Sequence, residues 1–412
     1  MRSIACVLVC LLAAACSESQ GPGDGGDAGC REEDRYSVPF AEEDLTFHVG
    51  PYVEHTTTTT TAIGWETLES GDTRLEYGPD DSYGQVVEGE SGTMHQVQIE
   101  GLQPATLYHY RACSGEQCTG DLFFTTAPEG GRPVRFAVYG DCQDRAPTHH
   151  QVVEQVMADE AAMALVVGDT VGDGRNREEF KQLYYDPARA MAHTIPRWAA
   201  IGNHDRKDTE AVHYIDYHIF PEDPGVPQAE ISFSFTYGDA FFLVFDNTMD
   251  HYDLFFPPVE GNNPQLWVWL QEQAASEEAQ NARWRFAFAH YPAISSCHDS
   301  EDNDSHPEAA MRVHVLPMLW ENNFHAYFSG HVHCYERLDF DGHLVFITGG
   351  GGGSLEGDCS TDISQSQLSN CVYHHMIVEL GCEQARLWAR DYEGNILDRV
   401  VLNEDGSYEL DN

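Results

Sequence analysis

Two histidines separated by a single residue, His331 and His333, lie in the segment GHVHCYER. In an extended or turning segment after a strand, imidazoles at this spacing can reach adjacent points in space, whereas on a helix they would point apart. The spacing is therefore one that metal ligands use. Such a pair at a strand end is as often a pair of surface histidines, so the assignment depends on the rest of the chain.

Four other stretches place metal-binding residue types directly after apolar, β-rich runs. These runs, at 134–139, 163–167, 198–201 and 284–288, are predicted strands. The residues that follow them are Asp141 and Gln143, Asp169, Asn203 with His204 and Asp205, and His290. Since strands of an α/β sheet present their carboxyl ends at one edge, these residues and the two histidines are predicted to converge there.

The elements around these stretches predict an α/β domain over residues 132–412. Helical patterns at 148–161, 177–191, 263–279 and 307–322 alternate with the strands, which favours parallel strands joined by right-handed crossovers. The later runs at 344–348, 376–380, 386–390 and 396–402 are predicted strands without helices between them, and we expect them to form a second sheet packed on the first. The predicted fold is four-layered, with two packed mixed β-sheets flanked by helices.

Residues 45–128 have the short, alternating segments of an all-β sandwich. The threonine run at 56–61 is interpreted as a strand, because threonine is a good strand former. Further strands are predicted at 62–66, 73–78, 96–99, 108–111 and 122–126. The stretch LQPATLYHYR at 102–111 resembles the corner of fibronectin type III domains. This domain shows no catalytic spacing and is predicted to serve packing and presentation.

The amino terminus is typical of an exported protein. Residues 1–16, MRSIACVLVCLLAAAC, are interpreted as a signal peptide, too short for a comfortable membrane span. The end resembles a bacterial lipobox, which would make Cys16 a lipid anchor. Because the usual leucine lies one position early, at Leu12, plain cleavage after Ala15 stays open. Residues 17–44 are predicted to be a flexible linker, and no later stretch is apolar enough for a transmembrane helix.

Export also accounts for the nine cysteines that follow Cys16, because an oxidising compartment favours disulfides. We expect local bridges between Cys113 and Cys118 and between Cys359 and Cys371. The count is odd, so at least one cysteine is free or pairs with another chain. Two cysteines, Cys142 and Cys334, adjoin candidate ligands; thiolate ligation is one interpretation, and a bridge or a buried free thiol is the one we favour.

The formal net charge is −46, from 68 acidic and 22 basic residues. Such a field repels nucleic acids and anionic membranes, so these partners are disfavoured. Among the few cations, Arg145 and Arg337 lie near candidate ligands in the sequence. We expect Arg337 to form an ion pair with a neighbouring acid rather than to bind phosphate.

The ordered motifs GD, GDTVGDG, GNHD, AHYP and GHVHCYER resemble those of the calcineurin-like metallophosphoesterase superfamily. With the fibronectin-like front domain and the HVHCYER ending, the chain looks most like the purple acid phosphatase branch. The resemblance implies a binuclear centre of Fe, Zn or Mn. It further implies direct attack of a metal-bound hydroxide on a small phosphorylated substrate, without a phosphoenzyme.

The resemblance also implies a role for each matching residue. Asp141, Gln143 and His333 would bind the first metal, Asp169 would bridge both, and Asn203, His290 and His331 would complete the second. His204 would donate a hydrogen bond or a proton to the phosphate or leaving group, and Asp205 would orient that imidazole or cap a helix. His298, in the loop after His290, would contact the substrate, or it is a solvated loop residue.

Two positions depart from the family pattern. Gly172 stands three residues after Asp169, where purple acid phosphatases carry a tyrosine, so the visible charge-transfer colour is predicted to be absent. Gln143 stands where many relatives have a histidine, and its amide oxygen would be the weaker ligand. The first metal is therefore expected to exchange readily or to be Mn or Zn rather than Fe.

The leading hypothesis is an exported phosphomonoesterase that scavenges phosphate from organic esters. A phosphodiesterase would use the same centre on a different substrate. A third interpretation, from another class, is a cell-surface binding lipoprotein with an inactive metal domain. The set of six oxygen and imidazole ligands argues against the third.

Overall fold

The computed structural model describes residues 30–207, 210–222, 225–226, 230–248, 265–297, 306–360 and 362–411. The predicted signal peptide, residues 17–29 of the predicted linker and His298 lie outside these residues. Residues 30–44, predicted to belong to the flexible linker, are instead packed on the folded chain: the buried Tyr36 donates its hydroxyl to Thr126 O at 2.6 Å, and Ala41 N–H donates to Thr194 Oγ1 at 3.1 Å. A β domain comes first, and an α/β domain begins at Val134. Within the described residues, no helix has both the length and the apolar character needed to cross a bilayer.

The amino-terminal domain is a six-stranded antiparallel sheet built around one long strand. Its strands are β1 (Val49–Glu54), β2 (Thr60–Gly78), β3 (Gln85–Glu100), β4 (Leu107–Ser114), β5 (Gln117–Cys118) and β6 (Leu122–Thr125). The first half of β2 pairs with β1 and β3, and its second half pairs with β3 and β4. The two strands predicted at 62–66 and 73–78 are thus one bent strand. The assignment of this β domain to the fibronectin type III class stays a prediction.

The strand predicted over the threonine run is wrong for its first four residues, because β2 begins only at Thr60. The hydroxyl oxygen of Thr57 accepts a hydrogen bond from the backbone N–H of Thr60 at 3.0 Å. Threonine side chains compete in this way with backbone ladders and favour turns. A local turn therefore replaces the first four residues of the predicted strand.

The α/β domain contains fourteen strands and eight short α-helices within the described residues. The strands are β7 (Val134–Tyr139), β8 (Met163–Val166), β9 (Arg197–Ala199), β10 (Phe233–Tyr237), β11 (Ala240–Val244), β12 (Trp284–Phe288), β13 (Ala326–Ser329), β14 (Tyr335–Phe340), β15 (His343–Thr348), β16 (Ser366–Asn370), β17 (His374–Leu380), β18 (Gln384–Asp391), β19 (Ile396–Asn403) and β20 (Tyr408–Leu410). The helices are α1 (Ala146–Ala158), α2 (Arg177–Glu179), α3 (Arg189–Ala192), α4 (Val212–Tyr217), α5 (Gln265–Ala274), α6 (Glu277–Asn281), α7 (His306–Ala310) and α8 (Leu316–Glu321).

These strands form two mixed seven-stranded sheets, as predicted. The first has the order β20-β19-β18-β17-β7-β8-β9, and the second has the order β10-β11-β12-β13-β15-β14-β16. Strands β7, β8 and β9 are parallel in the first sheet, and β11, β12, β13 and β15 are parallel in the second. Phe136 of the first sheet packs on Phe242 and Phe286 of the second, with ring centroids 5.3 and 5.7 Å apart. The sheets therefore share one buried core.

Three details of the prediction need correction. The later strands do not form a sheet of their own: β17 pairs with β7 in the first sheet, whereas β15 pairs with β13 in the second. The helix predicted at 177–191 is interrupted after a π-helical turn, Phe180–Tyr185, because Pro187 cannot donate a helical hydrogen bond. The helix predicted at 263–279 stops at Ala274, and Ser276 caps a new helix by accepting from Ala279 N–H.

The two domains share a buried interface. Tyr52 of β1 packs on Tyr185, with ring centroids 4.5 Å apart. The buried Glu54 carboxylate accepts a hydrogen bond from Ile219 N–H at 2.7 Å and lies 3.0 Å from His218 Nδ1. Burying a carboxylate is costly unless it is paired, so these contacts tie the β domain to the α/β domain.

Four disulfides are formed: Cys30–Cys382, Cys113–Cys118, Cys297–Cys334 and Cys359–Cys371. The two local bridges expected from the sequence are both among them. Among the described cysteines, Cys142 alone is free, and it is buried.

Candidate metal centre

The candidate ligands meet where five strands of the two sheets end. Asp141 follows β7, Asp169 follows β8 and Asn203 follows β9 in the first sheet. In the second sheet, His290 follows β12, and His331 and His333 follow β13. Because the sheets are packed face to face, the carboxyl ends of these strands lie at one edge of the domain. Residues separated by almost two hundred positions in the chain therefore become neighbours.

One group of side chains surrounds the amide oxygen of Asn203. Its Oδ1 lies 2.9 Å from His290 Nε2 and 3.0 Å from His331 Nδ1. The Oδ2 of Asp169 is 3.3 Å from His290 Nε2. The donor atoms of Asp169, His290 and His331 all lie within 4.8 Å of one another. This arrangement can hold one metal ion with oxygen and imidazole ligands.

A second group lies on the other side of Asp169. The Nε2 of His333 is 3.4 Å from Asp141 Oδ1 and 3.2 Å from the amide nitrogen of Gln143. That amide nitrogen is also 3.3 Å from Asp169 Oδ2. The same carboxylate oxygen thus contacts both groups, which is the position that a bridging ligand needs.

The amide oxygen of Gln143 provides a test of whether a metal fits. The side chain is buried, and Oε1 has no hydrogen-bond partner among the described residues. An unpaired buried acceptor costs about 1–3 kcal/mol. A cation between Gln143, Asp141 and His333 would satisfy this oxygen once the amide turned it toward them in place of the nitrogen, so the residues of this group fit a metal ion.

The imidazoles are oriented by backbone carbonyls. The Nδ1 of His290 donates to Val167 O at 2.9 Å, and the Nδ1 of His333 donates to Ser354 O at 2.7 Å. In both rings, Nε2 is thereby left as the coordinating nitrogen. Hydrogen bonds of this kind fix the tautomer and ring orientation of metal-binding histidines.

The backbone at the ligands is held in a conformation that L-residues rarely adopt. Asp141, Asp169 and His331 have φ angles of 57°, 52° and 68°. Each such backbone conformation costs about 1–3 kcal/mol and persists only where the surrounding structure holds the residue in it. Hydrogen bonds impose these conformations here: Asp141 Oδ1 accepts from His331 N–H at 3.0 Å, and Asp169 Oδ1 accepts from His204 N–H at 2.8 Å.

Glycines make room for these ligands. A Cβ on Gly330 would lie 2.2 Å from Asp141 Oδ2, and a Cβ on Gly168 would lie 2.5 Å from His290 Nδ1. No side chain fits at these distances. The glycine that precedes the ligand in four of the motifs is therefore a signal that sequence reasoning can use.

The electrostatics of the cluster favour positive charge. Burial lowers the pKa of His290, but the charge of Asp169 and the hydrogen bond to it raise that pKa to about 9. Burial likewise lowers the pKa of His333, and the hydrogen bond and charge of Asp141 raise it to about 9. Metal ions would replace these protons, so metal binding is expected to release protons.

The side chains of His204 and Asp205, which were predicted to act as a pair, have different hydrogen-bond partners. The Nδ1 of His204 donates to the carbonyl of Gly172 at 2.6 Å. Asp205 is fully buried, and its carboxylate instead accepts from Thr170 N–H at 3.0 Å and from Gly202 N–H at 2.8 Å. Asp205 therefore joins the loops that carry Asp169 and Asn203, and the predicted orienting contact is wrong. A backbone carbonyl carries out that function, and no residue type in the sequence signals it.

The cysteines next to the ligands are not thiolates. Cys334 forms a disulfide with Cys297. Burial, together with the charge of Asp141, raises the pKa of the Cys142 thiol well above its usual value, so this thiol stays neutral. The interpretation of one bridge and one buried free thiol agrees with this geometry.

Sequence reasoning missed Ser354 and Tyr291. Ser354 orients His333 from a glycine-rich loop whose composition carries no ligand signal. The ring of Tyr291 lies 4.3 Å from the ring of His331, and the carbonyl of Tyr291 accepts from the Tyr327 hydroxyl at 2.7 Å. Tyr291 thus packs directly against the candidate ligand His331 and follows the candidate ligand His290 in the sequence.

Two family models match the chain. The one described as calcineurin-like phosphoesterase matches residues 134–335, and the one described as the purple acid phosphatase N-terminal domain matches residues 48–126. Purple acid phosphatase 23 from Arabidopsis thaliana is 27% identical over 301 residues, which cover 65% of this chain and 64% of that protein. The probable purple acid phosphatase 20 of the same plant is 22% identical over 385 residues, which cover 86% of each chain. The aligned region therefore spans less than two thirds of the first relative.

A solved structure has the same overall fold. Purple acid phosphatase PPD1 from seeds of yellow lupin (Lupinus luteus) superposes with a TM-score of 0.73 at 16% identity. The superposition covers 86% of this chain and 74% of that one. At this level of identity the likeness concerns the fold alone.

Proposed function

Because the chain belongs to the calcineurin-like metallophosphoesterases, on the purple acid phosphatase-like branch, we propose that it hydrolyses phosphate monoesters with a binuclear metal centre. One observation carries the proposal: six oxygen- and nitrogen-donor side chains from five strand ends form two groups that meet at a seventh, the carboxylate of Asp169. Metal binding is the chemistry that requires these residue types at one point.

The two groups of ligands assign the metal sites. Asp141, Gln143 and His333 would hold the first ion, and Asn203, His290 and His331 would hold the second. Asp169 would bind both, because a carboxylate has two anionic oxygens. Bound there, two ions would activate a water molecule and stabilise charge on the attacking and leaving oxygens of an in-line displacement at phosphorus. Oxygen and imidazole donors suit Fe, Zn or Mn.

The residues around the centre prepare the substrate for displacement. The Nδ1 of His204 is committed to the Gly172 carbonyl, so Nε2 is the nitrogen left to interact with substrate. In the protonated ring, this nitrogen would donate to a phosphate oxygen or to the leaving group. Asp205 would act as a positioning residue that holds two ligand loops together. His298, outside the described residues, remains proposed as a substrate contact.

Export of the enzyme is part of the proposal. Four disulfides are typical of proteins that fold in an oxidising compartment, and their formation supports secretion. Acylation of Cys16 would place the enzyme on a cell surface, with residues 17–29 as the tether and the β domain as a presentation module. Labelling of wild type but not of Cys16→Ala by a radioactive fatty acid would support this anchor, and equal labelling would contradict it.

Metal analysis combined with two substrates tests the proposed activity. The wild type is expected to contain two metal ions and to hydrolyse p-nitrophenyl phosphate faster than bis-p-nitrophenyl phosphate. Asp169→Asn removes the bridging carboxylate and should abolish turnover. Asp173→Asn, in the same motif, is the matched control, because Asp173 is partly exposed and pairs with Arg175.

Each other result selects a different function. Faster hydrolysis of the diester would identify a phosphodiesterase. Bound metal without turnover of either ester would favour a binding lipoprotein with an inactive metal domain. Equal turnover by wild type and Asp169→Asn would eliminate the two-metal mechanism.

A further inference from the structure

Arginines near the candidate ligands differ in their partners. Arg337 lies 2.7 Å from Asp398, Arg206 pairs with Asp246, and Arg175 pairs with Asp173. Arg145, four residues after Asp141, forms no ion pair with any carboxylate of the described residues. Arg145 is exposed, so in a chain with 68 acidic and 22 basic residues its charge is left at the surface without a direct ion pair.

The guanidinium of Arg145 is held by neutral acceptors of the glycine-rich loop that orients His333. It donates to the Ser354 hydroxyl at 3.1 Å and to the Gly352 carbonyl at 3.4 Å. The backbone carbonyl of the same Ser354 orients His333. The Arg145 cation is thus anchored through one residue to a ligand of the first metal site, and its charge is not neutralised by a direct ion pair.

The rim of the centre links Arg145 to the proposed proton donor. The Ser354 hydroxyl also donates to Asp144 Oδ2 at 3.3 Å, and a Cβ on Gly172 would lie 3.9 Å from Asp144 Oδ1. Gly172 in turn holds His204. A continuous arc of residues therefore runs from Arg145 to His204, with the first metal site beside it.

We propose that Arg145 binds the phosphoryl oxygens of the substrate and selects dianionic monoesters over monoanionic diesters. Guanidinium is planar and carries several N–H donors, which suits it to phosphate oxygens. A monoester presents one more charged oxygen than a diester does.

This inference rests on the proposed function, which it deepens by assigning a specificity residue. The charge of Arg145 adds to the field of a chain that is otherwise strongly acidic, so the cation also counteracts repulsion of an anionic substrate at this rim. Arg145 is exposed, and its replacement is not expected to disturb the core.

Three variants with full metal content test the role of Arg145: Arg145→Ala, Arg145→Lys and the control Arg399→Ala. Arg399 is an exposed arginine on β19, so the control removes one positive charge away from the centre. The measurements are the affinity for inorganic phosphate by calorimetry, and kcat and KM for p-nitrophenyl phosphate and bis-p-nitrophenyl phosphate. Calorimetry needs no turnover and therefore separates this inference from the proposed function.

Arg145→Ala is expected to weaken phosphate binding and raise the monoester KM about tenfold, which is the loss of one charge-assisted hydrogen bond. The kcat value and the diester KM should change much less, so the preference for the monoester falls. Arg145→Lys should be intermediate, and Arg399→Ala should match the wild type.

Unchanged phosphate affinity and an unchanged ratio of monoester to diester activity in Arg145→Ala would overturn the inference. If the wild type hydrolyses neither ester, the proposed function fails, but loss of phosphate binding in Arg145→Ala would still support the anion-binding role. If Arg399→Ala loses as much phosphate affinity as Arg145→Ala, the effect belongs to net charge and the assignment of Arg145 is wrong.

Discussion

Replacing His149 by leucine should make the protein less sensitive to acid. His149 lies on α1 and is fully buried. Its Nδ1 donates to the Leu183 carbonyl at 2.7 Å, whereas its Nε2 has no partner among the described residues. Burial lowers the pKa of this imidazole to about 3, from an ordinary value of 6.5. The folded protein therefore keeps His149 neutral in a pH range where the unfolded chain protonates it.

The sign and size of the effect follow from proton linkage. The stabilisation is complete above pH 6.5 and is lost as the pH falls toward the folded-state pKa, because the unfolded state binds the additional proton. When the unfolded state binds one proton more than the folded state, the free energy of unfolding falls by about 1.4 kcal/mol for each unit decrease in pH. Between pH 6.5 and pH 4.5, the wild type should therefore lose about 2 kcal/mol more unfolding free energy than His149→Leu does.

Urea unfolding at several pH values and constant ionic strength measures this difference. At pH 7, the variant should be less stable by about 1 kcal/mol, for the lost hydrogen bond to Leu183. The two stability curves should approach or cross as the pH falls. His149→Gln, which cannot titrate either, should have the same pH slope as His149→Leu. Parallel curves for wild type and both variants would refute the reasoning.

Three further predictions concern the centre. Asp205→Asn should lower metal content and destabilise the fold by about 2–3 kcal/mol, because both carboxylate oxygens of Asp205 accept backbone hydrogen bonds and an amide has only one acceptor oxygen. The control Asp173→Asn should change neither metal content nor Tm. Wild-type metal content and Tm in Asp205→Asn would contradict the positioning role. His204→Ala should lower kcat for p-nitrophenyl phosphate by roughly a hundredfold or more with unchanged metal content, and a wild-type kcat would exclude proton donation by His204. Iron-loaded protein should lack a purple charge-transfer band, because Gly172 offers no phenolate, and a visible absorption band of this kind would show that another residue supplies one.

The position of the candidate ligands could be predicted because its signals are local. Asp141, Asp169 and Asn203 each follow an apolar run that ends in glycine, and the structure shows why: a Cβ on Gly202 would lie 2.1 Å from the backbone nitrogen of Asp169. The convergence of these strand ends at one edge of the domain can be predicted without knowing the order of the strands in the sheets. The parallel core and the two mixed sheets followed from the same alternation of strands and helices.

Features that depend on distant pairing could not be predicted. The register of β17 against β7 decides which sheet receives the later strands, and the residues of β17 carry no sign of that partner. Asp205 contacts Thr170, thirty-five positions away, rather than its neighbour His204. A contact between a side chain and a backbone carbonyl, such as that of His204 with Gly172, leaves no trace in residue types.

The Cys30–Cys382 bridge closes residues 30–382 into a covalent ring, because its two cysteines lie 352 positions apart in the chain. In the chain-entropy model, closing a loop of that length removes unfolded-state freedom worth about 6 kcal/mol. A protease that cuts one exposed loop within this ring would therefore leave a single molecule whose two parts remain covalently joined.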